Sequence, residues 1–264
     1  MAATSLERMG RLVASILAGR EDVAGVRRRL ESAGITGSFF VCTTPRTGST
    51  MFVYALAESR AVGLAAEHFN PLTVPRESDR RIGDHLVDCT GKAGRTGVFG
   101  TKLHWSHLEP FLARLRRLRG ARGLSDGRLI EAVFPTPRYI ALTREDTLAQ
   151  AVSWWRAKIT RVWLDDDEQV ADPVFDFDAI DERVRMAREH DAAWQRWFDA
   201  NGITPHRVTY EELVADPAAA ARGALGFLGA DVPAGFAPTT WTRRQADSLN
   251  DEWQRRYSEL AERR

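Results

Sequence analysis

Hydrophobic positions change their spacing most sharply between residues 38 and 56. Phe39, Phe40, Val41 and Cys42 form an unbroken apolar run, the pattern of a strand covered on both faces. Residues 43–50 are small, hydroxylated or turn-forming, and Met51, Phe52, Tyr54, Ala55 and Leu56 then resume as the apolar stripe of a helix. Strand, tight loop and helix start follow one another without a break.

The same reading extends along the chain. Residues 5–30 carry a helical stripe through Leu12, Val13, Ile16 and Leu17, and a glycine-flanked turn leads into the first strand. Residues 62–66 read as a second short strand, 97–103 as a third, 137–144 as a fourth and 206–210 as a fifth. Helical periodicity marks 106–118, 148–159, 178–200, 211–213, 217–228 and a final helix around Trp253, and Asn201-Gly202 stops the longest of these. Residues 73–96 are polar and charged, with a modest helical pattern around Ile82, Leu86 and Val87. Strands alternating with helices predict an α/β fold with a P-loop-like parallel central sheet flanked by helices. The 264 residues suffice for one such domain, with 1–35 as an N-terminal helical extension and 241–264 as a C-terminal segment.

Charge and cysteine content narrow the classes. A formal net charge of +1 gives no bulk argument for nucleic acid or a membrane surface. The basic cluster at 114–119 reads as a solvated helix face. Cys42, in the first strand, and Cys89, in a loop region, do not make a disulfide framework, which points to a reducing cytoplasm. No apolar run reaches transmembrane length, and Glu7, Arg8 and Arg11 interrupt any secretory core.

The chemistry concentrates in the first loop. Arg46, Thr47, Gly48, Ser49 and Thr50 open a helix N-terminus, where backbone N–H groups and the dipole favour a phosphate or sulfate. The simpler reading is a strand-turn-helix with a hydroxyl cap. Against G-x-x-x-x-G-K-[ST], Gly48 and Thr50 match, Thr43 replaces the first glycine and Ser49 replaces the lysine. The loop's cation is Arg46, which suits a nucleotide with separate anionic groups better than a Mg²⁺-bound triphosphate.

A right-handed crossover from this loop returns the next strand in the same direction, which puts Glu67 and His68 at the edge where the anion would sit. Lys102 arrives at the same end of the sheet from the third strand. Arg144 at a strand end, with Ser153 on the following helix, makes a second anion site, or else a surface ion pair and a hydroxyl bonded back to its own helix. His104 and His107 have a three-residue spacing that lacks a third metal ligand, and the acidic run at 165–168 reads as a solvated turn. Of Trp105, Trp154, Trp155 and Trp163, one or two are expected to touch a ligand.

Taken together, Thr44-Pro-Arg-Thr-Gly-Ser-Thr50, Glu67-His-Phe69, Gly100-Thr-Lys-Leu-His-Trp105, Arg144 with Gln150-Ala-Val-Ser-Trp-Trp-Arg156, and Arg244-Gln-Ala-Asp247 with Asp251-Glu-Trp253 resemble the Stf0 family of bacterial sulfotransferases. The likeness runs from about residue 38 to 257. It departs at Pro45 and His68 and is weak over 70–96, the stretch expected to shape the acceptor pocket.

The resemblance implies sulfuryl transfer from 3′-phosphoadenosine 5′-phosphosulfate to a hydroxyl of a small molecule or carbohydrate, with trehalose-like sugars leading and adenosine 3′,5′-bisphosphate as product. Arg46 to Thr50 would hold the 5′-phosphosulfate and Arg144 with Ser153 the 3′-phosphate, and Arg244, Gln245 and Ala246 would close over the nucleotide. Glu67 matches the family's base; His68 is the alternative base or a supporting histidine. Lys102 has three readings: stabilising the sulfuryl group, binding acceptor hydroxyls, or pairing with a carboxylate. No metal is required, and a homodimer is expected. Rival readings are a phosphoryl transferase and a non-catalytic nucleotide-binding module.

Overall fold

In the computed structural model, residues 21–72, 82–90, 97–164, 167–232, 235–239 and 248–263 are described. Strand β1 (Gly37–Thr43) lies inside a four-stranded parallel sheet ordered β2-β1-β3-β4, with β2 spanning Val98–His104, β3 Pro137–Thr143 and β4 His206–Thr209. Ten helices among the described residues flank it: α1 (Val23–Ser32), α2 (Ser49–Glu58), α3 (Ile82–Thr90), α4 (Trp105–Leu115), α5 (Asp126–Val133), α6 (Thr147–Thr160), α7 (Phe177–Ala200), α8 (Tyr210–Ala215), α9 (Pro217–Phe227) and α10 (Ser248–Ala261). None is long and apolar enough to cross a membrane.

The apolar run of β1 is continuous because the strand is covered on both sides. Phe40 and Cys42 join Phe99, Leu103, Tyr139 and Ala141 in a core capped by α1, α3, α4, α5 and α7. Phe39 and Val41 point the other way, joining Ile140, Leu142 and Val208 beneath α2, α8 and α9. Gly100 is a close-approach position in this second layer, since a Cβ there would lie 2.4 Å from the Phe39 ring. A third cluster, Ala151, Val152, Ile180, Val184 and Trp253, locks α6, α7 and α10 together.

Register brings the strand ends level: Thr43 pairs with His104 on one side and Leu142 on the other, and Thr143 pairs with Thr209. In a parallel sheet those carboxyl ends share one edge, where ligands of such folds bind.

Several expectations are corrected. Residues 62–66 do not form a strand. They run beside β2, with Gly63 N–H bonded to Val98 O and Lys102 N–H to Ala66 O, but Ala66 and His68 donate to Leu64 O and Ala66 O only two residues back. Those local turns occupy groups that a ladder would need. Cys89 lies buried on α3 rather than in a loop, and no disulfide joins it to Cys42. Helix α5 has no counterpart in the sequence reading; Ser125 caps it by accepting from Arg128 N–H at 3.4 Å. Of the helix expected over residues 5–30, only α1 and the residues just before it fall within the described residues; Leu12, Val13, Ile16 and Leu17 lie outside.

Candidate active site

The loop after β1 is built by hydrogen bonds to its own hydroxyls and to neighbouring elements. Thr43 Oγ1 donates to Leu142 O at 2.8 Å and stands 2.6 Å from Thr47 Oγ1. Gln150, fully buried on α6, donates from Nε2 to Pro45 O at 2.9 Å, and Arg144 Nη1 reaches Arg46 O at 3.3 Å. Arg46 and Gly48 hold positive φ angles of 68° and 74°. Gly48 is the N-cap of α2 and no side chain caps it, so the helix offers backbone N–H groups to an anion rather than to its own side chains.

Cations converge on this loop from three directions. Arg46 donates from Nε to Ser153 Oγ at 2.9 Å and from Nη1 to Trp163 O at 3.0 Å. Sequence reasoning groups Ser153 with Arg144 as a separate clamp; here Ser153 bonds to Arg46, and Arg144 holds the Arg46 carbonyl, so the two groupings form one cluster. The Arg144 guanidinium stacks 4.2 Å above the Tyr210 ring. The third cation is Lys102, 7 % exposed, whose Nζ donates to Thr50 Oγ1 at 3.1 Å. Ser49, at the lysine position of a triphosphate loop, is buried. The ammonium comes instead from the adjacent strand.

Lys102 also joins the loop to the carboxylate predicted beside it. Its Nζ lies 3.0 Å from Glu67 Oε1, His104 Nε2 donates to the same oxygen at 3.2 Å, and Asn70 Nδ2 donates to Oε2 at 2.9 Å. A carboxylate only accepts, so His104 carries its proton on Nε2. Burial alone would raise the Glu67 pKa, but the His104 hydrogen bond and charge, with Lys102 beside them, outweigh it and hold the group well below the usual carboxylate range. Burial lowers the His104 pKa, against the pull of Glu67. His107, edge-on at 5.1 Å from His104, is pushed down to about 4 by burial and then by the charge of its neighbour.

His68 is buried and stacks 5.4 Å from Phe99, while its carbonyl contacts His85 Nε2 at 2.8 Å. Its ring packs on the apolar layer through Phe99. Arg244, Gln245 and Ala246 lie outside the described residues.

The sequence matches Stf0 sulphotransferase over residues 38–259. The chain belongs to the Stf0 sulfotransferase family. It is 30 % identical over 259 residues to trehalose 2-sulfotransferase of Mycolicibacterium smegmatis, covering 86 % of this chain and 96 % of that protein. It is 28 % identical over 252 residues to the trehalose 2-sulfotransferase of Mycobacterium tuberculosis, covering 83 % and 93 % respectively. The parallel sheet with helices on both faces agrees with a sulfotransferase fold, and family membership makes the chain a transferase.

Sequence reasoning did not single out Asn70, Tyr210 or Asp191, which contact Glu67, Arg144 and Thr44, and named Gln150 only within a motif. Asp191 left a signal: at helical spacing from the buried Ala187 and Trp194, it borders the buried stripe of α7, where an acid is uncommon. Its pKa rises to about 6 through burial, partly offset by the Thr44 hydroxyl at 2.9 Å. Asn70 and Tyr210 had no comparable pattern. Among the described residues no three His, Cys, Asp or Glu side chains gather as a metal site.

Proposed function

We propose that this protein transfers a sulfuryl group from 3′-phosphoadenosine 5′-phosphosulfate to a hydroxyl of a carbohydrate or glycosylated small molecule, by in-line displacement. The observation that carries the reading is the bridge formed by Lys102, whose ammonium touches Glu67 and the Thr50 hydroxyl of the anion loop at once. A base for the acceptor and a cradle for the donor therefore share one cation. The relatives named for trehalose sulfation support a sugar acceptor.

The donor fits the residues present. The uncapped N-terminus of α2, Thr47 to Thr50 and Arg46 suit the 5′-phosphosulfate; Arg144 and Ser153 suit the 3′-phosphate, and Arg244 to Ala246 would cover the nucleotide. When bound, the donor supplies an activated sulfuryl group on a phosphate leaving group. Glu67 accepts the hydroxyl proton, a general-base role worth about 10²- to 10⁴-fold. Lys102 balances charge at the donor end, and an ammonium drawn toward the loop leaves Glu67 a stronger base. Arg46 and the loop amides form a preorganised environment for developing negative charge.

A thermal-shift comparison tests the donor class: adenosine 3′,5′-bisphosphate at a hundred times its dissociation constant should stabilise the fold by about 2.7 kcal/mol, and ATP with Mg²⁺ should do less at equal concentration. Preferential stabilisation by ATP would overturn the assignment in favour of phosphoryl transfer.

A further inference from the structure

Four successive carbonyls of the loop after β1 are held by side chains. Thr43 O accepts from Trp194 Nε1 at 3.0 Å, Thr44 O from Thr47 Oγ1 at 3.1 Å, Pro45 O from Gln150 Nε2 at 2.9 Å and Arg46 O from Arg144 Nη1 at 3.3 Å. A trans peptide is planar, so its N–H points opposite to its C=O. Drawing the Pro45 carbonyl toward α6 therefore turns the Arg46 N–H the other way, and drawing the Arg46 carbonyl toward Arg144 does the same for the Thr47 N–H. Pro45 has no N–H of its own to turn.

These last two peptides flank the strained residue of the loop. Arg46 has a φ of 68°, in the left-handed region that a side chain rarely adopts, and such a conformation persists only where the surroundings fix it. Arg144 fixes one side and also suits the 3′-phosphate. Gln150 fixes the other from full burial on α6, within the run Ala149-Gln-Ala-Val152 whose other members are buried and apolar. Pro45 O only accepts, so Nε2 faces it, and Oε1 is left buried with no hydrogen-bond partner among the described residues. An unpaired buried acceptor is costly, and a methionine or leucine would fill the same place without one. What the amide adds over those residues is a grip on one peptide of the loop.

We propose that Gln150 is a positioning residue for the donor: by holding the Pro45 carbonyl it presents the Arg46 N–H to the 5′-phosphosulfate, beside the amides at the start of α2. The proposal rests on the donor reading above. Gln150 is itself buried behind the peptide and acts through it, so its loss is felt at the 5′ group of the nucleotide and not at the 3′-phosphate.

The test is calorimetry on wild type, Gln150→Met and Gln150→Leu with three probes: adenosine 3′,5′-bisphosphate, adenosine 5′-monophosphate and adenosine 3′-monophosphate. In both variants affinity for the bisphosphate and the 5′-monophosphate should fall by a similar factor, about tenfold, while affinity for the 3′-monophosphate stays within about twofold. The unfolding midpoint should move by less than about 3 °C, since the lost hydrogen bond is offset by removal of the unpaired oxygen. Unchanged bisphosphate affinity in a folded variant, or equal losses for all three nucleotides, would overturn the positioning role. Two variants that fail to fold would make Gln150 a residue of the fold and overturn it as well. Wild-type protein that binds the bisphosphate no more tightly than the 3′-monophosphate would overturn the placing of the 5′ group in the loop, and the inference with it.

Discussion

Glu67 is a carboxylate held by more donors than a base at rest needs: Lys102 and His104 on one oxygen, Asn70 on the other. That arrangement keeps it ionised across the whole working range, so loss of activity on mild acidification belongs to other groups. Glu67→Gln preserves the shape and an oxygen acceptor but not the basicity. Turnover should fall about 10²- to 10⁴-fold while bisphosphate affinity holds, measured by single-turnover sulfation and calorimetry. Near-wild-type turnover would move the proton to His104 or solvent. Asp191 presents the reverse case, because its folded pKa of about 6 exceeds the unfolded carboxylate value. The folded state then binds the proton more tightly, so stability is full below about pH 4 and is lost as pH rises through about 6, by roughly 2–3 kcal/mol at most. Asp191→Asn should therefore stabilise the protein at pH 8 and change little at pH 4, as read by urea denaturation at both values. An equal effect at the two pH values would remove ionisation as the cause. A residue retained at a cost to stability is one expected to serve function.

At the scale of elements, the junction of β1 and α2 turns on one glycine. Gly48 combines a φ of 74° with a closest approach of 2.8 Å between a built Cβ and Tyr210 Cδ2. Gly48→Ala would strain the backbone by about 1–2 kcal/mol and push the ring on which Arg144 rests. Bisphosphate affinity should fall together with stability, and a variant that loses stability alone would separate the ring from the anion site. The loop itself was legible because an apolar run, a cluster of small residues and a helical stripe follow in order, a local pattern. Residues 62–66 had strand composition, yet their backbone bonds fold back on themselves, and composition carries no record of that. Glu67 still reached the expected edge, since the segment follows β2 in space whether or not it pairs as a strand. What the sequence hid were contacts between distant side chains. The Lys102 to Thr50 bond spans 52 residues and the Arg46 to Ser153 bond 107, and no local periodicity reports either. Helix α5 escaped because its eight residues mix Gly127 and charged positions with only three buried apolar side chains, Leu129, Ile130 and Val133.

Across the whole molecule, the sheet's two apolar layers are complemented by a purely helical cluster that ties the C-terminal α10 to the functional edge. Trp253, 3 % exposed, packs with Ala151 and Val152 of α6 and with Ile180 and Val184 of α7. Asn250, also buried, accepts from Arg156 Nη1 at 3.1 Å. The residue after Val152 is Ser153, which holds Arg46, and Gln150 on the same helix holds the loop carbonyl of Pro45. One face of α6 thus anchors the C-terminal helix while another supports the loop after β1, and α7 carries Trp194 and Asp191 against that loop's first residues. Trp253→Ala should cost about 3–5 kcal/mol from lost burial and the cavity left behind. If α6 transmits that loss, bisphosphate affinity measured well below the unfolding temperature should also weaken, and Asn250→Ala should produce a smaller effect of the same kind, about 1 kcal/mol in stability. Stability lost with affinity intact would make α10 a packing element alone and would leave α6 positioned by the sheet and the loop.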